Sequence, residues 1–274
     1  MLRILKKPQG RRRKMIKILY AGDAGALVGP LFIPSPFTME IKNFQMHIWG
    51  QPLIDGLQSD PEIKVTHMTA WDAYSKFPKT PEELAEYDVV MLCEVETDTL
   101  YFYPEFYTPS MWKGPITGPN RLKSIKQYIE KGGGFVMTGG WLTFQGRFGH
   151  GRWHGTPVEE AFPMEFMPDD DRVEAPEGAY VTVLNKNHPV MKGVPWEKCP
   201  PFLGYNRAKL KEGAKLLATI GEKKDPLIAL WDYGKGRALA FASDATPHWA
   251  VNFIRWEHYS KFWIQVMKWL AKKL

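Results

Sequence analysis

The sequence predicts an α/β fold: a mostly parallel sheet covered by helices on both faces, extended by a β-hairpin. Three observations carry this. The apolar run Met15 to Tyr20 leads into a turn of small residues, Ala21-Gly22-Asp23-Ala24-Gly25. The segment Tyr87 to Cys93 is nearly continuous apolar, as strands buried on both faces of a parallel sheet tend to be. Between it and a further strand, Phe135 to Thr138, lies a segment whose Leu122, Ile125 and Ile129 recur at helical spacing, which completes a βαβαβ rhythm.

The elements follow in order. After the first strand, Pro30, Pro34 and Pro36 exclude a helix. A helix is expected from Thr38, with Ile41, Phe44, Ile48, Leu53, Ile54 and Leu57 on its apolar face and a kink or split at Pro52. Ile63, Val65 and His67 alternate as a strand, and Thr80-Pro81-Glu82-Glu83 reads as a helix start with proline in its first turn. From Glu94 to Pro119 no period is evident and aromatics are dense, the pattern of a lid or binding loop. Asn120 caps the next helix and Gly132-Gly133-Gly134 ends it. Strands are expected over 180–184, 214–220, 227–231 and 238–242, the last two joined as a hairpin by Gly234-Lys235-Gly236. A helix from about Ile254 to Leu274, with Phe262, Val266, Trp269 and Leu270 on one face, closes the chain. No repeat or linker divides residues 15–274, which are expected to form a single domain.

The 274 residues are 44% hydrophobic and 24% charged, proportions of a globular chain. No apolar run approaches the roughly 18 residues of a membrane span, and the first residues are charged where a signal peptide is apolar, so a cytoplasmic address is expected. The net charge of +6 is local: eight Lys and Arg fall within residues 1–20, leaving 28 basic and 30 acidic groups beyond them. Residues 1–14 are expected to be a disordered, solvated tail or the product of an upstream start, and neither a nucleic-acid partner nor a membrane is expected. Two cysteines, Cys93 and Cys199, make neither a disulfide framework nor a zinc ribbon.

Ligands of open α/β sheets bind beyond the carboxyl ends of the strands. The residues just past the expected strand ends are Asp23, Glu94, the turn Gly139-Gly140-Trp141, and Asp244 with His248. Their convergence on one rim would make a site.

The stretch Gly132 to Phe144, a strand feeding a glycine-tight turn, resembles the class I glutamine amidotransferase-like superfamily, and within it the uncharacterised glutamine amidotransferase branch of cytoplasmic proteins. Four further segments are similar to that branch: 146–157, 187–193, Gly204-Tyr205-Asn206-Arg207, and 234–249. The resemblance implies a flavodoxin-like, three-layer α/β/α sandwich over residues 15–274. It also implies a G-x-C-x-G elbow bearing a cysteine nucleophile and a later His-x-Glu, and this sequence has neither: the elbow reads Gly139-Gly140-Trp141-Leu142-Thr143. Thioester hydrolysis of glutamine is therefore not expected. Thr143 reads as making a local backbone bond rather than as a substitute nucleophile.

The loop Arg147 to His154 holds Arg147, His150, Arg152 and His154 among glycines, and arginine suits bidentate capture of a carboxylate or phosphate. These four are expected to line a ligand pocket together with Asp23, Gly139, Gly140 and Trp141. The His-x3-His spacing would suit a metal on a helix, but the intervening glycines oppose a helix, and no metal is assigned. Asp244 orienting His248, with Glu94 or Asp23 sharing protons across the rim, is the candidate catalytic group. His47, His67, His188 and His258 read as structural. Tyr101, Tyr103, Trp112 and Trp141 could stack on a sugar or base, and Trp249, Trp256, Trp263 and Trp269 could form a subunit contact.

Three functions remain open: a small-molecule binding or sensing domain without the superfamily's nucleophile, a non-thiol hydrolase of a small anionic substrate, with or without a metal, and a structural module of a homo-oligomer. The sequence names no cofactor.

Overall fold

A computed structural model describes residues 15–108 and 114–274. Its centre is an eight-stranded sheet of β1 (Ile16–Gly22), β2 (Ile63–Met68), β3 (Val89–Cys93), β4 (Gly134–Thr138), β5 (Val181–Val183), β6 (Lys215–Ile220), β7 (Asp225–Tyr233) and β8 (Gly236–Phe241). The strand order is β5-β6-β7-β8-β4-β3-β1-β2. Strands β2, β1, β3, β4 and β8 run parallel, with Ile18 opposite both Val65 and Val89 and with Gly134 opposite Arg237. The turn at Gly234 reverses the chain, so β7, β6 and β5 add on antiparallel at that edge. This is the flavodoxin-like sandwich with its hairpin extension.

Period-two alternation assigns each strand's side chains to two cores. Ile18, Tyr20, Met91 and Cys93 face one layer, with α1 (Gln51–Gln58) and the closing helix Tyr259–Leu270. Leu19, Ala21, Val90 and Leu92 face the other, with Leu122, Ile125 and Ile129 of the helix Arg121–Lys131. That second helix begins as expected: the Lys123 amide donates to Asn120 Oδ1 at 3.1 Å, and Gly132 ends it at φ 128°.

Three expectations are corrected. The helix expected from Thr38 starts only at Gln51, with Pro52 in its first turn. Residues 24–48 are instead a β arm in which Ala24 pairs with Ile48, Val28 with Phe44 and Leu31 with Ile41. Ile41, Phe44 and Ile48 fit a helical stripe by spacing alone, whereas Pro30, Pro34 and Pro36 keep the opposing strand extended and supply it with a partner. Second, the stretch after Glu94 is not structureless: it holds a helix at Thr97–Tyr101 and a 3₁₀ turn at Pro104–Tyr107. Tyr103 is buried there beneath the Arg121 guanidinium, 4.1 Å from its ring. Third, the last helix begins at Tyr259, and Trp249, Trp263 and Trp269 are buried in the chain's own core. The basic tail, residues 1–14, and Trp112 lie outside the described residues.

Candidate functional site

Because β8, β4, β3 and β1 are adjacent and parallel, their carboxyl ends share one edge of the sheet. Asp23, Glu94, the Gly139-Gly140-Trp141 turn, Asp244 and His248 all follow those ends. A cavity of about 600 Å³ opens there, walled by Asp23, Glu94, Trp141, Arg147, His150 and His248, with Trp49 and Phe148 completing its aromatic side. The strand-end groups taken from four parts of the sequence are thus brought together.

Asp23 and Glu94 form the floor. Each leaves its strand with a positive φ, 47° and 51° respectively, a conformation that non-glycine residues seldom adopt and that bends the side chain back over the strand end. Asp23 is buried and accepts hydrogen bonds from the Tyr20 hydroxyl and, at 2.8 Å, from Thr246 Oγ1. Burial outweighs those bonds and raises its carboxyl from the ordinary value to about 6. Burial, with the charges of Asp244 and Asp23 beside it, pushes Glu94 well above the carboxylate range. The same burial holds the Cys93 thiol well up, with the Asp23 charge adding to it, and pushes Cys199 up to about 12. Neither thiol is poised as a nucleophile.

The backbone amides of the turn above this floor are all bonded, that of Gly139 to the Phe241 carbonyl. Gly140, at φ 148°, donates its amide to Asn206 Oδ1 at 2.7 Å, while Asn206 Nδ2 donates to Gly140 O at 3.0 Å and to Asp171 Oδ1 at 2.7 Å. Asp171 in turn accepts the amides of Gln145 and Gly146, both at 2.9 Å, and burial raises its carboxyl to about 6. The amides of Trp141 and Leu142 donate to the two Glu94 carboxylate oxygens at 2.7 and 2.8 Å. An oxyanion hole needs amides free to meet a developing charge; those of residues 140–142 are already committed to Asn206 and Glu94. Asn206 and Asp171 escaped the sequence reading as site residues, although Asn206 stands in the Gly204–Arg207 segment that carried the family resemblance.

At the cavity's other side, His248 Nδ1 lies 3.1 Å from Asp244 Oδ2, which also accepts the Trp249 amide at 2.9 Å. The imidazole stands edge-on to Trp141, with ring centres 4.5 Å apart. Its Nε2 is covered and has no hydrogen-bond partner. Asp244 thus fixes the ring through one nitrogen, as a carboxylate does in preparing an imidazole base, while the other nitrogen is unbonded but covered.

The Arg147–His154 loop divides. The Arg147 guanidinium stacks over Trp141 at 4.5 Å on the cavity wall, and His150 lines the same wall. Arg152 instead turns outward to Asp98, 3.1 Å away, and His154 Nδ1 lies 3.4 Å from Glu159. Neither lines the cavity. Phe148, Gly149, Arg152 and Gly155 all have positive φ, so the backbone reverses repeatedly and His150 and His154 never share a helical face. Among the described residues no three His, Cys, Asp or Glu side chains are grouped to hold a metal ion. Thr143 is buried and, against expectation, its hydroxyl has no hydrogen-bond partner. His67 Nε2 lies 2.8 Å from the Gly22 carbonyl, the structural role expected of it.

Comparison with known proteins agrees with this architecture. Over 93% of this chain and 99% of theirs, it is similar to two solved structures from Salmonella typhimurium: the cytoplasmic protein STM3548, at 28% identity and a TM-score of 0.82, and the cytoplasmic protein STM1381, at 30% and 0.82. A ThuA-like protein from Bacteroides uniformis shares the fold alone, with 15% identity and a TM-score of 0.55 over 97% of this chain and 95% of that one. No curated protein sequence matches. Among the described residues no helix is long and apolar enough to cross a membrane. A family described as "Putative glutamine amidotransferase" matches residues 40–272, most of the chain, and the chain belongs to that family.

Proposed function

We propose that the protein binds a small polar molecule in the strand-end cavity and does so without thiol chemistry. The observation that carries this is the cavity itself: about 600 Å³, enough for a metabolite-sized ligand, with aromatic walls and inward carboxyl groups. Glu94, raised well above the carboxylate range, keeps a proton that an ordinary carboxylate loses and can donate as well as accept a hydrogen bond to a ligand's hydroxyl or amine group, and Asp23, held near 6, does the same in mildly acidic solution and accepts at neutral pH. Arg147 and His150 supply donors for an anionic group at the rim. The elbow amides are occupied by Glu94 and Asn206, and the two thiols are buried, which argues against glutamine hydrolysis through a thioester. A cytoplasmic location is part of this reading, supported by the two similar Salmonella typhimurium proteins, which are described as cytoplasmic. A thermal-shift screen against amino acids, sugars and their phosphates tests the binding. A stabilising class that Arg147→Ala or Trp141→Ala abolishes supports the reading; a uniform absence of stabilisation refutes it.

One geometric relation favours a second reading, a hydrolase. His248 is fixed by Asp244; once the side chains that cover its unbonded Nε2 give way, it can take a proton from water as the water oxygen attacks an electrophilic carbon, while a protonated Asp23 or Glu94 returns one to the leaving group. Proton NMR of the stabilising compound with wild type and His248→Gln separates the two readings. Conversion by the wild type that the variant loses identifies the hydrolase, and an unchanged spectrum with wild type identifies the binder.

A further inference from the structure

We infer that the β arm of residues 24–48 is a dimerisation arm, its apolar tip seated on a second copy of this chain. The arm is two successive antiparallel ribbons, 24–28 with 44–48 and 31–35 with 38–41. An isolated ribbon of this kind is marginal in water without a covering surface. Yet Leu31, Ile33, Phe37, Met39, Ile41 and Phe44 are all exposed, and Phe37, in the turn at the tip, is 97% exposed. Cross-strand partners share a face, so Leu31 with Ile41 and Val28 with Phe44 form apolar pairs rather than scattered single residues. Eleven large apolar residues between Leu27 and Ile48 are 46–97% exposed; at about 100 Å² from each, less than the roughly 150–250 Å² of a whole aromatic side chain, the arm offers on the order of 1,000 Å² of apolar surface. That exceeds the largest patch usual on a monomer, about 300–600 Å², and meets the about 800 Å² per partner of a stable interface.

The chemistry of the arm selects the partner. Its only charged residues are Glu40 and Lys42, which pair with each other, so it offers nothing to nucleic acid or to an anionic lipid surface. The same chain carries a second exposed aromatic feature, a groove of about 470 Å³ in which Trp71, Phe102 and Tyr107 are exposed beside Glu96 and Asp98. One knob and one groove per copy are both covered by a reciprocal, two-fold exchange, and such an exchange closes at two copies. The arm springs from the strand-end cavity, whose wall includes Ala24 and Trp49 at the arm's base. This inference does not rest on what the cavity binds.

Light scattering coupled to size exclusion, on the full chain at tens of micromolar, tests it. Wild type is expected at twice the chain mass. The arm variant Leu31→Ser/Ile33→Thr/Phe37→Ser, and separately the groove variant Trp71→Ser, are expected at the chain mass with cooperative thermal unfolding retained. Should the triple variant not fold, Phe37→Ser alone, at a side chain open to solvent, is expected to raise the dissociation constant at least tenfold. A monomeric wild type, or an arm variant that stays dimeric, overturns the inference; a dimer that survives Trp71→Ser overturns the groove as its seat.

Discussion

Glu94 occupies the space into which a side chain at Gly140 would project: a Cβ built on Gly140 falls 1.9 Å from Glu94 Oε1 and 2.8 Å from Asp244 Oδ1. The sharpest point of the turn after β4 is therefore filled from below by a carboxyl group. Gly140 also sits at φ 148°, so an added methyl group meets both strain and overlap. Gly140→Ala is expected to cost at least about 3 kcal/mol of unfolding free energy, read from urea denaturation. Adding Glu94→Ala removes the nearer oxygen, and the double variant is expected to be more stable than the sum of the two singles.

Asn206 spans 66 residues of sequence to hold both polar groups of Gly140, and it hydrogen-bonds Asp171 as well. Removing it leaves the buried amide and carbonyl of Gly140 without that partner and takes one of its donors from Asp171. Asn206→Ala is expected to lower stability by about 3 kcal/mol, roughly 6–12 °C in melting temperature for a chain of this size. Asn206→Asp is expected to be worse in neutral buffer, because it faces Asp171 with a second carboxylate and cannot donate to Gly140 O. Differential scanning calorimetry of the two variants ranks them.

Stability is expected to fall as pH rises from about 4 to about 6. Asp23 ionises near 3.8 in the unfolded chain and near 6 in the folded one, so over that window only the folded state holds its proton. That difference contributes stability present below the unfolded value and lost as pH reaches the folded one, about 3 kcal/mol in all. Asp171, also near 6, contributes in the same direction. Denaturant midpoints at pH 4.5 and pH 7 check this: Asp23→Asn is expected to flatten the decline by its own share and to be the more stable protein at pH 7.

The central strands were legible because burial on both faces writes itself as a continuous apolar run, as at Val89 to Cys93, and because Asn120 and Gly132 mark the ends of the helix between β3 and β4. The strand-end rule was enough to expect Asp23, Glu94, Trp141 and the Asp244–His248 pair on one rim, because parallel neighbouring strands end together, and they do surround one cavity. The arm was not legible, since Ile41, Phe44 and Ile48 satisfy helical spacing while their partners lie across a turn at Pro36 and Phe37. Nor was the Asn206 clamp, because a contact between residues so far apart leaves no local pattern. Arg152 and His154 were placed at the cavity by proximity to Arg147 in sequence, but left-handed backbone at Phe148 and Arg152 sends them to Asp98 and Glu159 instead.

The central claim is that the cavity between Asp23, Glu94, Trp141 and His248 holds a small polar ligand. The most direct test is the melting temperature of wild type and Trp141→Ala side by side, each with saturating amino acids, sugars and sugar phosphates. A ligand at about a hundred times its dissociation constant adds roughly 2.7 kcal/mol, or about 5–10 °C here. Wild type is expected to rise by that amount with one class, and Trp141→Ala to lose the rise. A wild type that responds to none of them, or a rise that survives Trp141→Ala undiminished, would contradict it.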